Sequence, residues 1–130
     1  QDDVAVPQNT EGDEYMTLAI TPKATTNILI IEANLSWAHT AGGAFTMALF
    51  QDSTADALAA TAMLNEASVN SLRNLPLRHK MVAGTTSATT FKIRAGNASG
   101  GTTTVNGISG GRLYAGICAS SITITEYKAS

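Results

Sequence analysis

Few side chains in this 130-residue sequence stand where their type and spacing could support a reaction. Gly107-Ile-Ser-Gly-Gly111 fits the pattern G-x-S-x-G, in which Ser109 would be a nucleophile raised on a strand-to-helix elbow. The residues that follow, Arg112 to Ile117, read as a strand and not a helix. In a chain with eleven glycines the match therefore reads as a turn. A serine nucleophile also needs a base. His39 stands beside the Gly42-Gly43 turn, and His79 lies between Arg78 and Lys80, so neither is placed to form a triad with Ser109 and an acid. The single cysteine, Cys118, excludes an internal disulfide and reads as a small core hydrophobe. Two histidines and one cysteine at unrelated positions lack the spacing of a zinc site. The expectation is no catalytic residue, no metal and no cofactor.

Carboxylates offer the other chemistry, since a facing pair could hydrolyse a glycosidic bond. Asp2, Asp3, Glu11, Asp13 and Glu14 crowd the start of the chain and read as solvated charge. Glu32 and Glu126 lie within β-type segments, where a charge is usually exposed or paired, here with Lys92, Arg94 or Arg112. Trp37, His39, Arg112 and Tyr114 stand at strand ends or beside turns, where ring stacking and hydrogen bonds can hold a sugar. Trp37 fits the core face of its strand better. The candidate ligand-binding residues are therefore His39, Arg112 and Tyr114, expected on turns at one end of a rigid scaffold. Asn34-Leu-Ser and Asn97-Ala-Ser fit the glycosylation sequon, which matters only in a eukaryotic secretory context.

These groups must be held by strands. Met16, Leu18 and Ile20 alternate before Pro22 ends their segment. Leu29, Ile31, Ala33, Leu35 and Trp37 share one face of the next segment, while Ile28 and Ile30 point the other way and suggest burial on both sides. A turn at His39–Ala44 returns the chain through Phe45, Met47 and Leu49. Asp52–Leu64 is ambiguous. Its Ala and Leu content favours a helix capped by Asp52 or Ser53, whereas Leu58, Ala60, Ala62 and Leu64 fit a period of two. Clear strands on both sides favour the extended reading. Leu75, Leu77, His79 and Met81 share a face, and Pro76 argues for an edge strand. Phe91, Ile93 and Ala95 alternate with Lys92 and Arg94. Two short strands follow, at Thr102–Val105 and Arg112–Ile117. Ser120–Tyr127 closes the pattern. Eight or nine short strands at roughly ten-residue spacing predict an all-β chain, a sandwich or jelly roll. The predicted core is Leu29, Ile31, Leu35, Phe45, Met47, Leu49, Phe91, Ile93, Ile122 and Ile124.

Composition bounds the partners. The chain is one domain's length, divided as an N-terminal arm or linker over 1–13 and a β-sandwich domain over 14–130. Charged residues make up 14% of it, so part of the surface is expected to be covered by further copies. A net charge of −2 with no basic cluster argues against nucleic acid. No apolar run is long enough for membrane insertion as a helix. The polar, acidic opening shows no signal peptide, and the missing initiator Met suggests processing or a fragment.

Four pieces carry a resemblance: Ile20–Trp37, Phe45–Ala60, Thr89–Gly107 and Ser120–Tyr127. In this order they resemble the distal β domains of tailed-phage fibre and virion proteins, over most of residues 19–127, while 56–74 matches nothing in them. The resemblance implies a jelly-roll-like antiparallel β-sandwich, a homotrimer, and a virion structural part such as a tail-fibre tip, head fibre or capsid decoration. It implies attachment to other virion proteins through the N-terminal arm and contact with host cell-surface glycan, with localisation in the virion. In such domains the last strand completes a sheet near the threefold axis, with Glu126 at an edge or subunit contact. The rival expectation is a carbohydrate-active jelly roll using a carboxylate pair.

Overall fold

A computed structural model describes residues 4–66 and 70–130 of the chain. Ten strands form: β1 (Asp13–Ile20), β2 (Ile28–His39), β3 (Gly43–Gln51), β4 (Ala59–Asn65), β5 (Arg73–Val82), β6 (Thr89–Asn97), β7 (Thr103–Val105), β8 (Gly107–Ile108), β9 (Gly111–Arg112) and β10 (Ser121–Tyr127). One large sheet has the order β1-β6-β3-β4 and the other the order β10-β2-β5, with β7 also on β2, and β8 and β9 form a separate two-stranded ribbon. All pairings are antiparallel. The two sheets pack face to face as a single jelly-roll-like sandwich.

The alternation seen in the sequence sets the core. Leu29, Ile31, Leu35 and Trp37 of β2 meet Phe45, Met47 and Leu49 of β3 and Phe91 and Ile93 of β6, all at 0% exposure. Trp37 lies flat against Phe45, ring centroids 3.8 Å apart and planes within 7°, so this indole is core and not ligand surface. Ile122 and Ile124 of β10 are half-buried against the same cluster, because β10 is the outermost strand of its sheet. Pro76 does lie on an edge strand, as its missing N–H requires.

Three local expectations need correction. Asp52–Leu64 is extended over β4, as the neighbouring strands suggest, but within β4 Ala59 and Met63 pack inward in place of Ala60, Ala62 and Leu64, while Leu58, before the strand, also packs on the core. Register with β3 decides this: Ala59 pairs with Leu49, Thr61 with Met47 and Met63 with Phe45, so Met63 packs on the core and Leu64 is 68% exposed. Second, Arg112–Ile117 is not a strand beyond Arg112; Tyr114–Gly116 forms a 3-10 turn. Third, Ile28 and Ile30 face outward and are only half-buried.

Asp52 closes the β3–β4 turn in the left-handed region, φ 51°. Its Oδ1 accepts from Thr90 N–H at 2.8 Å and its Oδ2 from the Thr89 hydroxyl at 2.9 Å. A turn thus locks to the neighbouring central strand.

Candidate functional site

Strands β7 and β10 lie end to end on the same edge of β2. Trp37–His39 pair with β7, Ile28–Asn34 pair with β10, and β5 holds the other edge up to Trp37. Together they make one edge strand interrupted by residues 106–120. The interruption is tied at its base. Asn106 N–H donates to Ser36 O at 2.8 Å, Ser36 N–H donates to Ser120 Oγ at 2.9 Å, and Ser120 Oγ–H donates to Asn106 Oδ1 at 2.7 Å. Above this knot, Gly107 sits so close to the returning strand that a Cβ would lie 1.8 Å from Gly111 O, leaving only glycine possible. Gly110 N–H donates to Thr104 Oγ1, and the Arg112 guanidinium donates to Gly116 O.

Tyr114 and Ala115 follow each other in the left-handed region, φ 53° and 52°. Such backbone persists only where the surroundings over-determine it. The result is a stiff loop with Tyr114 67% and Ile117 84% exposed at its tip.

Arg112 and Tyr114, two of the residues singled out in the sequence, therefore share one loop. The third does not join them as a surface group. His39 is buried at the end of β2, its Nδ1 2.8 Å from Thr103 Oγ1. A histidine beside a Gly-Gly turn reads as exposed from sequence; pairing of His39 with Thr103 in β7 encloses it. Ile117 joins them at the tip, a position that a strand reading of Arg112–Ile117 does not single out. The paired-glycine punctuation around Ser109 was the available signal.

Ser109 stands on a two-residue hairpin between β8 and β9, not on a strand-to-helix elbow, and its Oγ accepts from Asn70 Nδ2 at 2.6 Å. Cys118 is half-buried in the same loop and not in the core. Glu32 and Glu126 do not face each other. Glu126 pairs in register with Leu29 on the core-facing side, Glu32 with Thr123 on the outer side.

Glu126 instead secures the chain crossing between β1 and β2. Its Oε1 accepts from Asn27 Nδ2 and from Lys23 N–H, each at 2.7 Å, and these bonds hold its carboxyl below the ordinary carboxylate range. Glu126 thus lies on the edge strand β10, with its carboxylate engaged within the chain. Because the folded-state value is lowered, this contribution is complete above about pH 4.5, the ordinary value, and is lost as pH falls through the folded value. Melting curves of wild type and Glu126→Gln should be separated at pH 7 and converge towards pH 3. A constant gap across that range would refute the clamp.

The two outer faces of the sandwich differ. Over β3, β6 and the start of β1 lies the chain's own opening segment. Pro7 O accepts from Ala57 N–H, Asn9 N–H donates to Ala55 O, and the Arg94 guanidinium donates to Glu11 O and Gly12 O. Beneath it Ala48 and Phe50 are 4% and 2% exposed. Residues 7–12 are thus packed on the domain.

The outer face of β10-β2-β5 has no such cover among the described residues. Tyr127, Ile28 and Val82 form one cross-strand row, and Thr125, Ile30 and Lys80 the next. Tyr127 and Val82 are each 54% exposed. Farther along, Glu32 and Arg78 form a loose ion pair, 3.6 Å, beside a shallow groove lined by Asn34, Pro76, Ser121 and Thr123.

Comparison with known proteins adds one match. The family model described as the Pgp3 C-terminal domain, a Chlamydia virulence-plasmid protein, covers residues 4–130. No curated protein matches the chain. The match overturns the phage resemblance, and with it the fibre or capsid role and the virion localisation, because the family is bacterial.

Proposed function

We propose that this chain, which belongs to the Pgp3 C-terminal domain family, acts without catalysis, as a structural module that assembles with copies of itself. One observation carries the reading. The middle of one sheet's outer face, over Ala48 and Phe50, is covered by the chain's own residues 7–12, whereas the apolar row Tyr127–Ile28–Val82 on the other sheet is left open. Burying such a row gains roughly 25 cal/mol per Å² of apolar surface, and a neighbouring copy can supply the surface that buries it. The low charge of the chain supports this, since little of the open face would need desolvation beyond Lys80 and the Glu32–Arg78 pair. Three copies are the expected number.

The geometry among the described residues supports the reading without catalysis. Ser109, His39, His79 and Cys118 share no hydrogen bond with one another, and the two strand glutamates lie on opposite sides of their sheet.

The test is mass in solution. Light scattering on the full chain at micromolar concentration should give a multiple of 13.4 kDa, and Val82→Lys with Tyr127→Lys should return it to one copy. A monomeric wild-type mass would sink the proposal.

A further inference from the structure

The 106–120 loop is costly to build and leaves its apolar tip in water. Four non-glycine residues in it, Asn106, Ser109, Tyr114 and Ala115, hold positive φ. Such backbone tends to cluster in segments shaped for contact. The tip is uncharged from Leu113 to Ala119, and Arg112 is the single charge between Arg94 and Glu126. An aromatic, an aliphatic and an arginine on a rigid support are the residue types that anchor protein interfaces. With only one cation in that stretch, an anionic membrane surface would gain little from it.

A matching recess is present on the same molecule. The groove on the outer face of β10-β2-β5 has Pro76 and Arg78 of β5 along one side, Ser121 and Thr123 of β10 along the other, and Asn34 and Glu32 of β2 between them. Glu32 meets Arg78 only through a single 3.6 Å approach, with both side chains more than half exposed. No other described side chain pairs with the carboxylate. The loop does not fill its own chain's groove, since Tyr114 and Ile117 stay exposed. A knob on an edge and an unfilled groove on a face make a heterologous pair, which joins copies head to tail.

Resting on the self-association proposed above, we infer that the loop is the contact by which one copy grips the next: Tyr114 and Ile117 seat against Pro76 in the neighbouring copy's groove, and Arg112 meets its Glu32. The open apolar row beside the groove then lies at the same interface.

The experiment uses the full chain and sedimentation equilibrium. Tyr114→Ser and Ile117→Ser change exposed side chains and leave the Arg112–Gly116 hydrogen bond in place. Each should raise the dissociation constant by about tenfold or more, as for an interface anchor, with an unchanged circular dichroism spectrum. Groove variant Thr123→Trp should do the same by filling the recess. Mixing Ile117→Ser with Thr123→Trp at equal concentration should restore one intact knob-and-groove contact and give a 1:1 dimer. Wild-type association by both loop variants, or monomers on mixing, would overturn the loop's role while leaving self-association through the apolar row standing. A monomeric wild type would overturn both.

Discussion

Phe91→Ala should destabilise the chain by about 3–5 kcal/mol, and Ile31→Ala by about 2–5 kcal/mol, the range for emptying a packed core site. Phe91 lies on β6, flanked by β1 and β3, and Ile31 on β2, flanked by β10 and β5. Each is a central strand, and each side chain is 0% exposed against the opposite sheet. Central strands cannot move aside to fill the void without breaking ladders on both edges, so the cavity term adds to the lost transfer free energy. Leu64→Ala is the control: at 68% exposure it should change stability by no more than about 0.5 kcal/mol. Urea unfolding at one fixed protomer concentration measures all three, because association would otherwise shift the midpoint. A loss below about 1 kcal/mol at both core sites would mean that the strand faces are inverted.

Most of the sandwich was legible from alternation. Every predicted core residue of β2, β3 and β6 is fully buried, because those strands are long, central and half-apolar. Alternation failed on β4. Leu58, Ala60, Ala62 and Leu64 are as apolar as Ala59, Thr61 and Met63, so the sequence pattern could not choose a face. The choice is made by register with β3, a tertiary fact. The segment after Gly111 failed for a different reason. Arg112–Ile117 has β-type composition, but its backbone turns through two left-handed residues, a conformation that composition does not reveal. Of the candidate site, Arg112 and Tyr114 were found through neighbouring glycines, whereas His39 is enclosed by Thr103 of β7, 64 positions along the chain.

The family reading failed where the fold reading succeeded, and the residues show why. The quoted pieces map onto the turn before β2, the turn after β3, the Thr-rich start of β6 and the edge strand β10. Each piece is explained by what it does in a sandwich. Pro22 ends a strand, Asp52 closes a turn, Thr89 and Thr90 receive that aspartate, and Glu126 binds the Lys23–Asn27 crossing. Residues dictated by architecture recur wherever the architecture does, so they report fold and carry little lineage. The same separation applies to the open face and the loop. Neither is needed to close the core, which is why both are better places to look for function than any strand residue.

Asp52→Ala should cost about 2–4 kcal/mol, a large effect for a side chain at the surface. Two hydrogen bonds to a carboxylate would be lost, to Thr90 N–H and the Thr89 hydroxyl, at about 0.5–1.5 kcal/mol apiece for a group at the surface. Thr89 is 2% exposed, though Gln51 Nε2 still donates to its hydroxyl oxygen at 2.9 Å, so its oxygen would not be stranded. Alanine would also have to hold φ 51°, where aspartate is tolerated and alanine is not. Asp52→Gly removes the second cost and keeps the first, so it should lie above alanine by about 1 kcal/mol. Asp52→Asn keeps an oxygen for Thr90 N–H and tolerates the left-handed region, and should stay closest to wild type. The order Asn, Gly, Ala in falling stability, read from urea midpoints at one protomer concentration, is the expected result. Alanine equal to glycine would show that backbone conformation at Asp52 contributes nothing, and asparagine equal to alanine would show that the bonds to β6 do not hold the turn.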